Sequence, residues 1–302
     1  YILGKRMSRT GNQHHSKGAL DLIEEAVHLI RMSSLSTLAL YYIGSLPFML
    51  ALLYFWTDMI RNAFADRHCA DASLGLALLF LWMKSWQAVF IRRLMKAHIR
   101  GIPIFRWSLR RIVRLVVTQI VIQPWGIIVL PIAILLAIPF PWVYAFFQNV
   151  MVFGDGEDSN IRTVLKRSWQ QAKLWPKQNF ILIWLLSPWL LVIASALVLV
   201  LIPFFSAAVP GTQSMLFIIG FLLLLIPLNP LGMIIATNVG VTVLLIPQLL
   251  KTFFGVETIF TLSSLHIMNT TFFAVVCSIT YLCLDPLIKT TYALRCFYGE
   301  AL

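Results

Sequence analysis

Long apolar runs without any charge dominate the pattern of this chain. No Asp, Glu, Lys or Arg occurs in the 73 residues from Gln178 to Leu250, in the 40 from Leu115 to Gly154 or in the 22 from Leu35 to Trp56. A helix that crosses a bilayer needs only about 20 apolar residues. The pattern therefore predicts an all-α integral membrane protein that crosses the membrane several times.

Turn signals divide the apolar runs into about eight membrane segments. The 73-residue run is interrupted by the turn formers VPGTQS at 209–214 and PLNPLG at 227–232. In chain order the predicted segments are 35–56, 73–91, two arms within 115–154, 179–205, 214–228, 231–250 and 267–284.

The run 115–154 is predicted to turn back on itself. As one helix it would be about 60 Å long, which is twice the thickness of the hydrocarbon layer. Pro139 and Pro141 favour the bend because proline breaks the helical hydrogen-bond ladder, and Pro124 and Pro131 predict kinks in the first arm. The second arm is short, so the segment either crosses twice or forms a re-entrant hairpin. Both arrangements return the chain to the side that it left.

The N-terminal segment predicts a tail followed by an amphipathic helix. Residues 1–16 are polar and basic, whereas 18–32 repeats apolar residues at helical spacing. Its apolar face is predicted to consist of Leu20, Ile23, Val27 and Ile30. We expect this helix to lie along the membrane surface. The chain is accordingly divided into 1–34, the tail and helix, and 35–302, a single polytopic membrane domain.

Basic residues are concentrated in short segments between the apolar runs. Eight of them, with no acidic residue, lie between Arg92 and Arg114. Within 105–116 the arginines share one helical face, which is typical of an interfacial helix that meets anionic headgroups. The predicted headgroup contacts are Arg106, Arg110, Arg111, Arg114, Lys166 and Arg167.

The distribution of charge also predicts the orientation of the chain. Cytoplasmic loops are enriched in Lys and Arg, so 92–114, 162–177 and the N-terminal segment are assigned to the inside. The acid-leaning loop 57–72 is assigned to the outside, and both termini are then cytoplasmic. The net charge of +12 is carried by these short segments, so we expect membrane lipid and not nucleic acid as its counterpart.

Two stretches resemble a known membrane family. In residues 155–186, DGEDSNIRTVLKRSWQQAKLWPKQNFILIWLL, the residues Leu165, Ser168, Trp169 and Lys173 match the A-L-x-x-S-W-x-L-x-K element of the glycerophosphoryl diester phosphodiesterase membrane domain and related bacterial multi-span families. Residues 284–300, LDPLIKTTYALRCFYGE, are similar to the end of those families. The resemblance implies a non-catalytic, multi-pass domain of the bacterial inner membrane.

A few polar residues fall inside the predicted spans. Lys84 either extends its ammonium group to the interface or lines a polar pathway. Gln123 and Asn149 either form hydrogen bonds between helices or belong to the same pathway. Asp285, followed by Pro286, is predicted to break and cap the last span, the alternative being a proton or cation site.

Motifs of enzyme chemistry are absent from the sequence. The segment ADRHCAD at 65–71 holds His68 and Cys69 between aspartates, but a short solvated loop does not hold metal ligands on a rigid frame. No catalytic triad, zinc-protease motif or phosphate-binding loop occurs. We therefore expect no enzymatic activity, catalytic residue, cofactor or bound metal.

Two functional hypotheses follow from the sequence. The first is a non-enzymatic integral membrane subunit or scaffold that packs with other membrane proteins and binds anionic lipid. The alternative is a transporter or lipid-handling protein whose polar pathway includes Lys84, Gln123 and Asn149. An aqueous cavity that reaches the middle of the membrane is required by the second hypothesis and not by the first.

Overall fold

The computed structural model describes residues 17–98, 108–135, 140–156, 160–186, 230–255 and 270–300. These residues form helices joined by turns, and they contain no β-strand. The helices are α1 (Ala19–Met32), α2 (Leu35–Arg61), α3 (Cys69–His98), α4 (Leu109–Leu135), α5 (Phe140–Phe153), α6 (Ile161–Lys173), α7 (Pro176–Leu186), α8 (Pro230–Phe254) and α9 (Thr270–Glu300). A 3₁₀ turn, Ala65–Arg67, lies between α2 and α3.

Within these residues, five helices are long and apolar enough to cross a membrane, namely α2, α3, α4, α8 and α9. They agree with the prediction of a helical, multi-pass membrane protein. The count of eight segments stays a prediction. Segment 214–228 and most of 179–205 lie outside the described residues.

The predicted turn between the arms of 115–154 corresponds to α4 and α5. Helix α4 continues through Pro124 and Pro131 to Leu135, and α5 places Pro141 in its first turn, where the missing N–H breaks no helical bond. Pro139 lies outside the described residues. The second arm is short, as predicted, because 14 residues of helix span about 21 Å. Whether α5 belongs to a re-entrant hairpin stays a prediction.

The start of α4 corrects the prediction of a separate interfacial helix at 105–116. Residues 109–116 are the first turns of the spanning helix itself, and Leu115 is buried there. The arginines of this stretch therefore lie at the end of a spanning helix, where Arg111 and Arg114 contact the turn after α5. Arg106 lies outside the described residues.

Helix α1 buries a face that matches the predicted one only in part, since Ile23 is buried as predicted. Leu22, Ala26 and Leu29 are buried, whereas Leu20 and Val27 are exposed. The helix packs against α7 and α9. The apolar residues of α1 form a face that is broader than a single helix contact, so its periodicity alone does not select which part is buried. Its contacts with α7 and α9 do.

Helix α9 is the central element of the bundle. It packs against α1, α2, α3, α5 and α8, and it continues from Thr270 to Glu300 without interruption. The prediction that the last span ends at Asp285 and Pro286 was therefore wrong. Proline is tolerated inside a spanning helix when neighbouring helices hold the segment, and Asp285 is hydrogen-bonded to both α2 and α3.

The charged residues of the bundle separate toward its two ends. At one end the start of α2 meets the end of α3, where the Arg93 guanidinium donates to Ser36 Oγ at 3.2 Å. The first turns of α4, the last turns of α5 and α9, and helix α6 lie at this same end, which we call the basic end. The opposite end is the turn between α2 and α3, which carries Asp58 and Asp66.

Candidate functional site

A cluster of polar side chains lies inside the bundle, midway along α9. Asp285 and Lys289 are 3% and 1% exposed. Lys289 Nζ lies 3.4 Å from Asp285 Oδ1, one helical turn away. The Tyr41 hydroxyl and the Gln87 amide each donate to Asp285 Oδ2 at 2.9 Å. We call this cluster the polar centre; its members are Tyr41, Gln87, Gln148, Tyr281, Asp285 and Lys289.

The polar centre connects four helices. Lys289 Nζ donates to Gln148 Oε1 of α5 at 2.6 Å, and Gln87 Nε2 of α3 donates to the Tyr281 hydroxyl at 3.2 Å. An isolated charge is costly inside a protein, by several kcal/mol, unless an opposite charge and hydrogen bonds compensate it. Here both kinds of compensation are present. The cluster can fix the register of α2, α3, α5 and α9 relative to one another.

Sequence reasoning named Asp285 as the alternative proton or cation site but missed its partner Lys289, because it ended the last span at Pro286. A signal was nevertheless present. Asp285 and Lys289 are separated by four residues, a spacing that places opposite charges on one face of a helix. Had the helix been continued through the proline, the pair would have been recognised as intramembrane.

The three residues proposed for a polar pathway have separate partners. Lys84 is half-buried in α3, with its Nζ 5.2 Å from the centre of the Phe80 ring. Gln123 is buried and donates to the Phe147 carbonyl at 3.5 Å. Asn149 is buried against α6 and α9. Among the described residues the three side chains are not joined by a shared hydrogen bond.

The stretch that resembles the phosphodiesterase membrane domain forms α6. Asn149 Nδ2 donates to the Ser168 carbonyl at 3.2 Å, and the Cys296 thiol donates to Asn149 Oδ1 at 3.1 Å. Ser168 is buried, whereas Trp169 is 43% exposed, with Lys173 Nζ 4.8 Å from the centre of its ring. The element therefore has one face against α5 and α9 and one face that points outward.

Two of the predicted headgroup contacts bind the protein's own backbone. Arg111 Nε donates to the Asp155 carbonyl at 3.4 Å, and Arg114 Nη1 donates to the Gly156 carbonyl at 3.3 Å. Gly156 has φ +82°, and a Cβ at this position would lie under 3.0 Å from the Arg111 carbonyl, so the turn requires glycine here. These arginines hold the turn after α5 against α4.

The Asp155 carboxylate forms ion pairs with two arginines at the basic end. Arg92 Nη1 lies 2.7 Å and Arg111 Nη2 3.5 Å from its Oδ2. Arg167, a further predicted headgroup contact, forms an ion pair with Glu300. Arg110 and Lys166 are exposed.

The turn between α2 and α3 places His68 beside Asp58, with 3.7 Å between Nε2 and Oδ2. Asn62 Nδ2 donates to Asp58 Oδ1 at 3.0 Å. No group of three or more His, Cys, Asp or Glu side chains is arranged for metal binding in the part of the chain that the structure describes. The histidine is thus part of a local polar turn.

Comparison of the chain with protein-family models, with curated proteins and with solved structures gives no match.

Proposed function

We propose that this protein is a non-enzymatic integral membrane subunit that docks a transmembrane helix of another membrane protein on α8. The observation that carries this proposal is an exposed face of α8 on which polar side chains occur among apolar ones. Ile234, Val241 and Leu245 are between 48% and 59% exposed. Asn238 and Thr242 are exposed on the same face, at helical spacing.

A polar amide is unfavourable on a face that contacts only lipid. Asn238 Nδ2 donates to the Ile234 carbonyl at 2.7 Å, and the Thr242 hydroxyl donates to the Asn238 carbonyl at 2.7 Å, so both side chains are partly satisfied within α8. An asparagine amide has two N–H donors and one carbonyl acceptor. A hydrogen bond from such a group to a second helix contributes about 1–2 kcal/mol in model peptides.

Helix α4 shows the contrasting arrangement. Its polar residues within the span, Gln119 and Gln123, are buried against other helices. Its exposed face is made of apolar residues, among them Ile120, Ile127 and Ile128. That face is typical of contact with lipid, whereas the face of α8 is typical of contact with another helix.

The proposal is tested with a photoreactive amino acid at Val241 in the native membrane. The matched control carries the same group at Ile128, which has a similar exposure on α4. We expect a protein adduct of one defined mass from position 241 and none from position 128. Asn238→Leu should reduce the adduct at least about threefold, because the interhelical hydrogen bond is lost.

Three outcomes would contradict the docking of a different membrane protein. They are equal adducts from positions 241 and 128, an adduct between two copies of this chain, and an adduct within one chain. Mass spectrometry of the adduct distinguishes these outcomes directly.

A second candidate function, transport or lipid handling, is favoured by the buried pair of Asp285 and Lys289. Ionisable residues inside a membrane often belong to ion or proton pathways. In this case purified protein in liposomes should conduct protons or a solute. Asp285→Asn should abolish that flux while the protein remains folded. Wild-type liposomes without any flux above empty ones would instead favour the subunit.

We further propose that the basic end faces the cytoplasm of a bacterial inner membrane, which would place both termini on that side. The proposal is supported by the enrichment of arginine and lysine at this end. Arg110 and Lys166 are exposed there and are the proposed contacts for anionic lipid, each contributing about 1 kcal/mol. The double variant Arg110→Gln/Lys166→Gln should bind phosphatidylglycerol more weakly, as measured by native mass spectrometry.

A further inference from the structure

A cavity of about 150 Å³ lies at the basic end, between α3, α5, α6 and α9. Four charged residues line it, namely Arg92, Asp155, Arg167 and Glu300. A single buried water requires about 10–15 Å³ of such volume. The cavity therefore has room for a polyatomic polar group.

The charges are arranged as two ion pairs at different depths. At the floor, Arg92 and Asp155 have side chains only 15% and 5% exposed. At the mouth, Arg167 and Glu300 have side chains 40% and 42% exposed. The residues that line this space thus include guanidinium donors and carboxylate acceptors in equal number.

This balance of opposite charges selects for a ligand that carries both signs of charge. A simple anion would meet two carboxylates, and a simple cation would meet two guanidinium groups, so that attraction and repulsion would nearly cancel. A zwitterion can place its negative part against the arginines and its positive part against the acids. Both halves then gain charge-assisted hydrogen bonds, which are stronger than neutral ones.

The remaining wall of the cavity is apolar. It includes Ile91, Met95 and Phe297, and the Arg167 guanidinium lies over the Phe153 ring at 4.6 Å. The cavity lies where α3, α5 and α9 approach their C-terminal ends, so it is at the level where a spanning bundle meets headgroups. Apolar surface beside charged groups suits a polar group that is attached to carbon chains.

We propose that this cavity binds phosphoethanolamine, the zwitterionic group of phosphatidylethanolamine. The phosphate is bound by Arg167 and Arg92, because guanidinium forms paired hydrogen bonds with phosphate oxygens. The primary ammonium, which has three N–H donors, is bound by Glu300 and Asp155. The site involves other helices than the docking face of α8 and does not rest on that proposal.

The test is a lipid titration of the full chain in detergent, followed by native mass spectrometry. Phosphatidylethanolamine is compared with phosphatidylcholine, whose quaternary nitrogen donates no hydrogen bond, and with phosphatidylglycerol, which has no cation. We expect phosphatidylethanolamine to bind about tenfold more tightly than either of them.

The mouth of the cavity provides the variants, because its half-exposed residues can be changed without opening the buried floor. Arg167→Gln should weaken phosphatidylethanolamine binding about tenfold. Glu300→Gln should remove the preference over phosphatidylcholine while leaving phosphatidylcholine binding unchanged. Arg162→Gln and Glu24→Gln, at exposed positions outside the cavity, are the matched controls and should bind like the unaltered chain.

Free phosphoethanolamine, added without phospholipid, distinguishes the source of the ligand. Retention of the lipid alone assigns the site to the membrane, and binding of the free compound assigns it to a soluble ligand; both support the site. Equal binding of the three lipids would contradict the proposal. An equal loss of binding in Arg162→Gln and Arg167→Gln would contradict it as well.

Discussion

Lys289 follows Asp285 by one turn of α9, and its ammonium lies 3.4 Å from the Asp285 carboxylate inside the bundle. Because both side chains are almost completely buried, neither charge is compensated by solvent. The charge of each residue is therefore compensated mainly by the other. Substitution of one residue alone should have a different effect on stability from substitution of both.

Lys289→Met should destabilise the protein by about 3–5 kcal/mol, since it leaves a buried carboxylate without its cation. The double variant Asp285→Leu/Lys289→Met should lose less stability, because neither charge of the pair remains. Thermal unfolding in detergent measures both, with the exposed Lys166→Met as control. A single variant as stable as that control would show that the pair does not stabilise the fold.

Lys84→Gln should have a much smaller effect than Lys289→Met. The Lys84 side chain is half-buried and its ammonium contacts the Phe80 ring, an interaction that contributes about 0.5–2 kcal/mol. We expect normal insertion, a small loss of thermal stability and an unchanged adduct at position 241. A variant that inserts and folds normally but loses docking or flux would instead place Lys84 in a functional pathway.

Cysteine labelling tests the orientation. In a chain whose other native cysteines are replaced, Cys69 should react with a membrane-impermeant thiol reagent applied from outside the cell. Single cysteines at Ser108 and Gln170, both exposed at the basic end, should react only after the membrane is opened. Gln171 is unsuitable because it is buried beside Gly299. Labelling of positions 108 and 170 from outside would reverse the assignment.

Gly44→Ala should disrupt the hairpin of α2 and α3. A Cβ at Gly44 would lie under 3.0 Å from Trp86 Cβ, an atom fixed to the backbone of α3, so the helices would have to separate. Gly75→Ala on α3 is the matched control, because no atom lies within 4 Å of a Cβ there. We expect a loss of thermal stability in the first variant and a neutral or slightly stabilising effect in the second. Equal melting temperatures of the two variants would mean that α2 and α3 accommodate a methyl group at position 44 without a loss of stability.

The docking of α1 on α9 should weaken at alkaline pH. Partial burial lowers the pKa of Lys17, but its hydrogen bonds to Glu25 and Tyr298 raise that pKa by more, and the net result is above the usual 10.5. The folded-state value is the higher one, so the stabilisation is complete below pH 10.5 and is lost as the pH rises through the folded-state pKa.

Spin labels on α1 and α9 should therefore keep one short distance up to about pH 10 and separate at higher pH. Lys17→Met should remove this Lys17-dependent change and weaken docking at neutral pH as well. A distance that is independent of both pH and the substitution would show that the apolar contacts of α1 hold it against α9 without Lys17.

The helical, multi-pass class of the fold followed from the sequence because absent charge is a strong signal. A run such as Leu35–Trp56 has no stable alternative to crossing the hydrocarbon. The short second arm before Gly154 was predictable for the same reason, since the available length is fixed by the Asp155 that follows it.

The packing of the helices could not be predicted in this way. Proline usually ends a helix in solvent but is tolerated inside a helix that is packed among others. In α9 the hydrogen bonds of Asp285 to α2 and α3 hold the helix beside Pro286. Likewise, Arg111 and Arg114 show the same amphipathic spacing whether they face headgroups or the turn at Gly156. The outcome in each case depends on contacts with residues that are distant in the sequence. The periodic pattern of a single segment carries no information about those contacts.

The contact of Lys17 with Tyr298, at a donor–acceptor distance of 2.6 Å, has a consequence for biogenesis. The ribosome delivers α1 before α9, so this contact cannot form before α9 has been released and inserted. Until then α1 has no α9 to cover Leu22 and Leu29. Docking of α1 thus reports the insertion of α9, and a chain in which α9 is not inserted would present these leucines to chaperones and proteases of the membrane.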